Sequence, residues 1–186
     1  MNGFTLHTLE TAGESKPLLE KGLKAMGFVP NLYAMMAESP ALLEAYQSLS
    51  AAFGKTGFSA TEQQIVLMTN NRLNGCDYCM AAHTTISRMS KVPEDVIEAL
   101  RSGSPIGDSK LEALRVFVEK VNRNRGWLED GDMEEFLAAG YTRKHVLEVI
   151  LGTSLKVLSN YTNHVTGTPL DDAFSDAEWK AAELSA

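Results

Sequence analysis

The 186-residue sequence has only two cysteines, no long apolar run and no surplus of basic residues. Lysine and arginine number 17 against 24 aspartates and glutamates, which gives a formal net charge of −7. With no basic cluster, this charge argues against nucleic acid or an anionic membrane as the main partner. The longest apolar stretches are far shorter than the ~20 residues of a membrane-spanning helix. The start, MNGFTLHTLE, lacks the features of a secretory signal, so we predict a cytoplasmic protein.

Several well-known functional motifs are also missing from the sequence. It contains no glycine-rich phosphate loop, no serine nucleophile elbow and no HExxH pattern. A requirement for flavin, nicotinamide or haem therefore has no support, and we predict that the protein needs no cofactor.

The sequence instead carries helix start and stop signals along most of its length. No strand alternation and no Asn-Gly hairpin signal interrupts them, so the predicted fold class is all-α with about eight or nine helices. Start and stop signals pair Pro17 with Gly27, Pro93 with Gly103, Asp108 with Gly126, Gly131 with Gly140, and Thr142 with about Val165. Ser39 is a helix cap with Pro40 at the first helical position, and capping boxes are predicted for Ser59 with Glu62 and for Asn74 with Asp77. Ser175 with Glu178 caps a predicted last short helix, DAEWKAAEL.

Two predicted helices are unusually apolar. IVLM at residues 65–68 and VLEVILGTSLKVL at residues 146–158 lack a clear polar face, which predicts that both are fully buried. A faint internal repeat links the same two regions, and it suggests a duplicated helical unit. A shift of 81 residues superposes Thr61 on Thr142, Ile65 on Val146, Cys79 on Asn160 and His83 on His164.

Both cysteines lie in one segment, NGCDYCMAAH at residues 74–83. In a reducing compartment a lone Cys-x-x-Cys is more often redox-active or metal-binding than structural. On a helix with about 100° per residue, Cys76 and His83 lie about 20° apart and Cys79 within about 60° of both. Free N–H groups and the helix dipole favour a thiolate in the first turn. An imidazole can move the thiol proton, and a second thiol can resolve the oxidised first one as a disulfide.

Two other interpretations of this segment remain open. The cysteines could fill space in the core beside a buried histidine. Alternatively, Cys76, Cys79 and His83 could bind zinc, but a structural zinc site normally has four ligands. The possible fourth ligands are His7, His145 and His164, none of which lies at metal-ligand spacing.

The segment NGCDYCMAAH resembles the motif of the AhpD-like alkyl hydroperoxidases, within the carboxymuconolactone decarboxylase superfamily. FSATEQQIVLMTNNRL, VPEDVIEALRSG and NYTNHVTGTPLD fit the same family. The resemblance implies a single AhpD-like domain over residues 1–186, with a core from about Phe28 to Asp171 and helical or loop extensions. It further implies a homo-oligomer and an antioxidant role, in which hydroperoxides are reduced through a cysteine disulfide that a lipoyl- or thioredoxin-like dithiol recycles.

Residue by residue, the resemblance makes Cys79 the attacking thiol, Cys76 the resolving thiol and His83 part of a proton relay. Dipole reasoning alone favours Cys76 as the more acidic, but the dipole fades beyond the first turn. We therefore follow the resemblance. The sequence departs from the family at Gln64, where the best-known members carry a relay glutamate, and at Tyr78, where some carry histidine. Gln64 cannot act as a general base, so peroxidase activity would be weak or use another proton acceptor.

Glu62, Gln64 and His164 are weaker candidates for the relay or for lining the site. Glu62 lies about 200° around the helix from Gln64, and it serves equally well as a capping-box carboxylate. His164 ends an apolar helix in a polar cluster with Asn160 and Asn163. This cluster could line the site or a subunit contact, or simply terminate the helix at the surface.

Other functions compete with a peroxidase. A thiol–disulfide oxidoreductase acting on protein or small-molecule disulfides would lose less from the change at Gln64. A non-catalytic or zinc-binding helical oligomer belongs to a different class. Decarboxylation of a muconolactone is less favoured, because the decarboxylases of the superfamily do not depend on a cysteine pair.

Overall fold

The structure, a computed structural model, describes residues 3–181. Over that range it contains nine α-helices and no β-strand, which confirms the all-α prediction. The helices are α1 (Lys16–Met26), α2 (Asn31–Met36), α3 (Pro40–Phe53), α4 (Ala60–Leu73), α5 (Asp77–Met89), α6 (Glu94–Ser102), α7 (Ser109–Arg123), α8 (Asp132–Ala138) and α9 (Arg143–Thr166). Short 3-10 helices occur at Gly13–Ser15 and Asp172–Ala177. Within the described range, none of the helices combines the length and the apolar character needed to cross a membrane.

Most helix boundaries follow the signals in the sequence. At the start of α4, the Ser59 hydroxyl accepts a hydrogen bond from the Glu62 N–H at 3.3 Å, and the Glu62 carboxylate accepts one from the Ser59 N–H at 2.8 Å. This is the predicted capping box. At the end of α1, Gly27 takes the left-handed conformation with φ +79°, which glycine adopts without steric cost.

The predicted capping box before α5 is wrong. Cys76 is the residue that precedes the first turn, and no side chain caps the helix. Asn74 instead donates to the Asn160 side chain at 2.9 Å, and the Asp77 carboxylate accepts from the N–H of Ala181 at 2.9 Å. Both side chains find partners distant in sequence, which a local pattern cannot reveal.

The predicted last helix, with its cap at Ser175 and Glu178, is also wrong over the residues described. Ser175 lies inside the 3-10 helix Asp172–Ala177, and Glu178 leaves it with extended backbone. The part of the prediction from residue 182 onward lies outside the described residues.

Helix α4 lies at the centre of the fold and packs against α5, α7 and α9. Ile65, Val66 and Met68 are completely buried, as their apolar run predicts. The prediction that the segment 146–158 is fully buried is wrong, because Leu147 and Ile150 are 67% and 47% exposed. Helix α9 therefore buries one face against α4 and presents apolar side chains on the other.

The suggested duplication stays a prediction. Helices α4 and α5 are separated by a turn at residues 74–76, whereas the positions 81 residues later lie within the single helix α9. If the two regions share an origin, the second one has lost the turn that places the cysteines.

Gly152 marks the close approach of α9 to its neighbours. A Cβ at this position would lie 2.5 Å from Val66 Cγ1 and 2.7 Å from Phe53 Cε2. We expect Gly152→Val to lower the free energy of unfolding by about 1–3 kcal/mol, because the packed core must shift to admit the side chain. Gly107→Val is the matched control, since a Cβ there meets nothing within 4 Å. Urea denaturation measures both, and equal stabilities would contradict the close approach.

Candidate active site

Both cysteines are buried at the beginning of α5. Cys76 and Cys79 are 1% and 2% exposed, and no disulfide joins them. Asn71 of α4 holds this segment at two points. Its carbonyl accepts from the Cys76 N–H at 2.9 Å, and its side-chain amide donates to the Cys79 carbonyl at 3.1 Å. Asn71 thus fixes both the turn between α4 and α5 and the first turn of the cysteine helix.

Polar groups of α9 contact the two sulfur atoms. The side-chain amide of Asn163 donates to Cys79 Sγ at 3.2 Å and lies 3.7 Å from Cys76 Sγ. The hydroxyl of Ser159 lies 3.8 Å from Cys79 Sγ. The N–H donor of Asn163 favours the thiolate over the thiol, and the contact with Ser159 also lowers the pKa of Cys79, so α9 stabilises negative charge at this sulfur.

A chain of buried asparagines keeps these groups in place. The Asn160 side chain donates to Asn71 Oδ1 at 3.0 Å and accepts from Asn74 at 2.9 Å. Such a satisfied polar network resists rearrangement of the helices that it joins. Asn160 and Asn163, singled out in the sequence, therefore lie at the cysteines. His164 does not, because its side chain is exposed beside the ring of Tyr161.

His83 lies one turn after Cys79 and is held on both ring nitrogens. Nδ1 lies 2.9 Å from Gln64 Oε1, and Nε2 lies 3.1 Å from Lys156 Nζ. An ammonium can only donate, so Nε2 accepts and the proton sits on Nδ1, which donates to Gln64. Burial, and then the charge of Lys156, hold the pKa of His83 well below its usual value of 6.5. The imidazole is neutral at physiological pH.

Sequence reasoning missed Lys156, as it missed Asn71 and Ser159. Lys156 lies on α9 with 1% exposure, and no ion pair between residues 3 and 181 involves it. The signal was present, since this lysine interrupts an apolar segment that was itself predicted to be buried. A buried lysine is rare unless it has a partner or a function.

The surroundings act on the two thiols in opposite directions. Burial alone raises the pKa of Cys79, but the hydrogen bond from Cys76 and the positive charge of Lys156 outweigh it and bring that pKa well below 9.0. The hydrogen bond to Cys79, together with burial, raises the pKa of Cys76. Cys79 is therefore the more acidic thiol. The dipole argument, which favoured Cys76, did not include the groups that α9 brings to Cys79.

A cavity of about 190 Å³ leads to Cys79. Cys79, His83 and Lys156 line its inner part, whereas the exposed residues Met26 and Ser50 line its rim. The remaining wall is largely aromatic, with the rings of Tyr33, Tyr46, Tyr78 and Phe174. A small molecule with an apolar body can therefore reach the cysteine through a predominantly apolar passage.

Tyr78, between the two cysteines, has a positioning contact. Its hydroxyl donates to the Asp171 carboxylate at 2.5 Å and accepts from the Leu32 N–H at 3.2 Å. Asp171 also accepts from the N–H of Asn31 at 3.0 Å. This set of bonds joins α2 and the segment after α9 to the cysteine helix, and so shapes one wall of the cavity.

The structure does not bring Glu62 to the cysteines. Besides its capping bonds, its carboxylate accepts from the Tyr141 hydroxyl at 3.0 Å and lies 3.6 Å from Lys110 Nζ. The relay position of the family is occupied by Gln64 alone, which reaches His83 but carries no charge.

The zinc interpretation finds no ligand set in residues 3–181, where no group of three His, Cys, Asp or Glu side chains could hold a metal ion. Two of the possible fourth ligands have other contacts. His7 bonds to Glu38 at 2.9 Å, and His145 bonds to the N–H of Thr142 at 3.1 Å.

Acid should destabilise the reduced protein. Folding lowers the pKa of Cys79 below 9.0 and that of His83 below 6.5, so the unfolded chain binds more protons. The stability that ionised Cys79 contributes is complete above pH 9 and is lost as the pH falls towards the lower pKa of the folded protein. The stability that neutral His83 contributes is lost as the pH falls below 6.5. We expect the free energy of unfolding to fall by up to about 1 kcal/mol per pH unit below pH 9. Urea denaturation under reducing conditions measures this.

The double variant Cys79→Ser/Lys156→Met is the control for this pH dependence, because loss of the thiolate alone would leave the buried ammonium of Lys156 without an anion. It should remove the dependence above pH 6.5 and keep the part below, which comes from His83. An unchanged slope in the double variant would show that Cys79 does not cause the dependence.

Comparison with known proteins places this geometry in context. The sequence model of the Carboxymuconolactone decarboxylase family matches residues 40–119, which include both cysteines and His83. No curated protein matches the sequence significantly. An uncharacterized peroxidase-related protein from Ralstonia eutropha JMP134, with an alkylhydroperoxidase AhpD core, matches with a TM-score of 0.80 and 20% identity, over 92% of this chain and 94% of that one. A peroxidase-related protein from Silicibacter sp. TM1040 matches with a TM-score of 0.77 and 19% identity, over 92% and 94%.

A cysteine-to-alanine variant of the debrominase Bmp8, in complex with 2,3,4-tribromopyrrole, matches with a TM-score of 0.79 and 16% identity, over 94% of this chain and 95% of that one. Likeness at such identities establishes the fold and not the activity. The resemblance read from the cysteine motif is thus confirmed: residues 40–119 match the model of the carboxymuconolactone decarboxylase family, and the chain has an AhpD-like all-helical fold.

Proposed function

We propose that the protein is a thiol-dependent peroxidase that reduces hydrogen peroxide or small organic hydroperoxides through Cys79 and Cys76. One observation carries this proposal. Cys79 lies at the inner end of a cavity, where Lys156 and Asn163 favour its thiolate, with the Cys76 thiol hydrogen-bonded to it. The thiolate is the nucleophilic form of cysteine, and a neighbouring thiol protects the oxidised sulfur from further oxidation.

The reaction has three steps. The Cys79 thiolate attacks the terminal oxygen of the hydroperoxide, the O–O bond breaks, and an alkoxide leaves and takes up a proton to become an alcohol. The sulfur of Cys76 then attacks the resulting Cys79 sulfenic acid. The S–S bond forms, and hydroxide leaves with the Cys76 proton as water. A dithiol reductant of lipoyl or thioredoxin type transfers two electrons and two protons to the disulfide and becomes a disulfide itself.

The glutamine at position 64 is compatible with this cycle. A carboxylate is needed as a base only if the attacking thiol must be deprotonated during the reaction. Here the surroundings lower the pKa of Cys79, so the thiolate is present before the substrate arrives. The cytoplasmic location and the dithiol partner stay predictions, and they agree with each other, because a reducing compartment supplies dithiols.

Stopped-flow kinetics tests the proposal. The fully reduced protein is mixed with hydrogen peroxide or with tert-butyl hydroperoxide in the absence of reductant. We expect rapid consumption that stops at one equivalent per chain and resumes when a dithiol is added. Absence of consumption with intact thiols would refute the peroxidase, and oxidation by glutathione disulfide instead would favour the thiol–disulfide oxidoreductase.

Reductive dehalogenation is a second candidate, favoured by the aromatic wall of the cavity and by the likeness in fold to a debrominase. The Cys79 thiolate would take bromine from carbon, leaving a carbanion that is protonated. Cys76 would then form the disulfide and release bromide and a proton. Incubation of the reduced protein with 2,3,4-tribromopyrrole decides the question. Bromide release with loss of both thiols supports this candidate, and unchanged bromide and thiols exclude it for that compound.

We also propose that the protein is a homo-oligomer, with the outer face of α9 as the contact. Leu147, Ile150 and Tyr161 are 67%, 47% and 55% exposed, and they recur at spacings of the kind that place side chains on one helix face. We expect Ile150→Glu to lower the molecular mass measured by sedimentation equilibrium to that of one chain, about 20.3 kDa. Met89→Glu is the control, since Met89 is 78% exposed on α5. A wild-type protein that sediments as a monomer would contradict the proposal.

A further inference from the structure

Lys156 is buried without a carboxylate partner. Its ammonium contacts His83 Nε2 at 3.1 Å, and this imidazole is neutral. No salt bridge in the described chain includes Lys156, although its exposure is only 1%. An isolated buried charge costs several kcal/mol or more, so a buried ammonium requires an anion or gives up its proton.

Among residues 3–181, only one group around Lys156 can supply that anion near neutral pH. The helices that line the cavity bring Tyr33 from α2, Tyr46 from α3, and Tyr78, Cys79 and His83 from α5; Gln64 from α4 is uncharged. Burial raises the pKa of each of the three tyrosines, so they stay neutral. The charge of Lys156 also acts on Cys76, but the hydrogen bond to Cys79 and burial raise the pKa of that thiol, so it stays protonated. The carboxylate of Asp171 is bound to the Tyr78 hydroxyl and to the Asn31 N–H. The counter-ion of Lys156 is therefore the Cys79 thiolate.

We propose that Lys156 is the proton donor of the peroxide reaction, charged while Cys79 is a thiolate and neutral once the disulfide has formed. This inference rests on the proposed disulfide cycle. When Cys79 is oxidised, the anion disappears, and the ammonium would be left alone in the interior. At the same moment the leaving alkoxide requires a proton. Transfer from Lys156 meets both needs, and it supplies the acid that Gln64 cannot provide.

The proton balance makes the proposal testable. The products, one alcohol and one water, contain three exchangeable protons. The hydroperoxide brings one and the Cys76 thiol brings one, so the third comes from Lys156 or from solvent. If Lys156 donates it, the reduced protein takes up no proton from solvent on oxidation. If Lys156 keeps its charge, each chain takes up one proton.

The experiment is a proton count on the full-length reduced protein. It is mixed at pH 7 with one equivalent of tert-butyl hydroperoxide in weakly buffered solution, and a pH indicator reports the uptake. We expect no uptake by the wild-type protein. We expect uptake of one proton per chain by Lys156→Arg, because arginine keeps the charge that stabilises the thiolate but cannot release a proton. Uptake of one proton by the wild type would overturn the proposal.

Kinetics of Lys156 variants separate its role as a proton donor from the effect of its positive charge on the Cys79 thiolate. Lys156→Arg should keep the low pH midpoint of Cys79 alkylation and lose about 10²-fold or more in peroxide reduction. Lys156→Met should lose both properties. A Lys156→Arg protein that reduces peroxide at the wild-type rate would refute a donor role. If Lys156→Arg fails to fold, the proton count on the wild-type protein tests the proposal by itself.

One further arm separates this inference from the proposed function. Glutathione disulfide oxidises the cysteine pair without peroxide and yields two glutathione thiols, which again require one proton from Lys156 or from solvent. If peroxide is not consumed, the proposed function fails, and the glutathione count still decides whether Lys156 gives up its proton.

Discussion

Cys79→Ser should lower the rate constant for peroxide reduction by on the order of 10³-fold or more, since a serine hydroxyl is not ionised near neutral pH and cannot replace the thiolate. In the structure, the groups that favour ionisation converge on Cys79 and not on Cys76. Stopped-flow measurement with excess hydroperoxide gives the rate constant. Circular dichroism and thermal unfolding verify that the variant is folded.

Cys76→Ser is the matched control for this change. It retains the attacking thiol, so the first turnover should proceed and stop at a sulfenic acid on Cys79. Dimedone labelling followed by mass spectrometry identifies that product. Labelling of Cys76 in the Cys79→Ser protein, together with retained peroxide consumption, would reverse the roles of the two residues.

Gln64→Glu should raise the pKa of both His83 and Cys79. Gln64 Oε1 lies 2.9 Å from His83 Nδ1, so a glutamate there places a negative charge against the imidazole. A carboxylate at this distance raises a histidine pKa by about 1–3 units. In the wild-type protein the ammonium of Lys156 lowers the pKa of Cys79. The negative charge of the glutamate offsets this effect, so the pKa of Cys79 rises. Below the new thiol pKa, each unit of upward shift reduces the thiolate, and the rate of alkylation, about tenfold.

The measurement is the pH dependence of iodoacetamide alkylation at Cys79, with NMR titration of His83 beside it. Gln64→Met serves as the control, because it removes the hydrogen bond without adding charge. Its alkylation midpoint should move less than that of the glutamate variant. Equal midpoints in the wild-type and glutamate proteins would show that Lys156 and His83 do not act on the thiol.

The sequence predicted the parts of the structure that depend on neighbouring residues. The capping box of Ser59 and Glu62 is closed by residues three positions apart. Cys79 and His83 face the same cavity because they lie four positions apart on one helix. The failure at α5 has the opposite cause, since Asn74 and Asp77 take partners 86 and 104 positions away.

The chemistry of the site depends mainly on such distant contacts. Ser159 and Asn163 reach Cys79 from 80 and 84 positions along the chain, and Lys156 reaches His83 from 73 positions. The motif around the cysteines therefore identified the nucleophile pair, but it could not show what makes Cys79 the more acidic thiol. A lysine inside an apolar helix was the sequence signal for that missing group.

A titration of thiols against peroxide tests the central claim most directly. Fully reduced protein receives one equivalent of hydroperoxide, the remaining thiols are counted, and peptide mass spectrometry identifies any disulfide. We predict the loss of both thiols in each chain and a peptide in which Cys76 is joined to Cys79. Two intact thiols per chain, or a disulfide between different chains, would contradict the account.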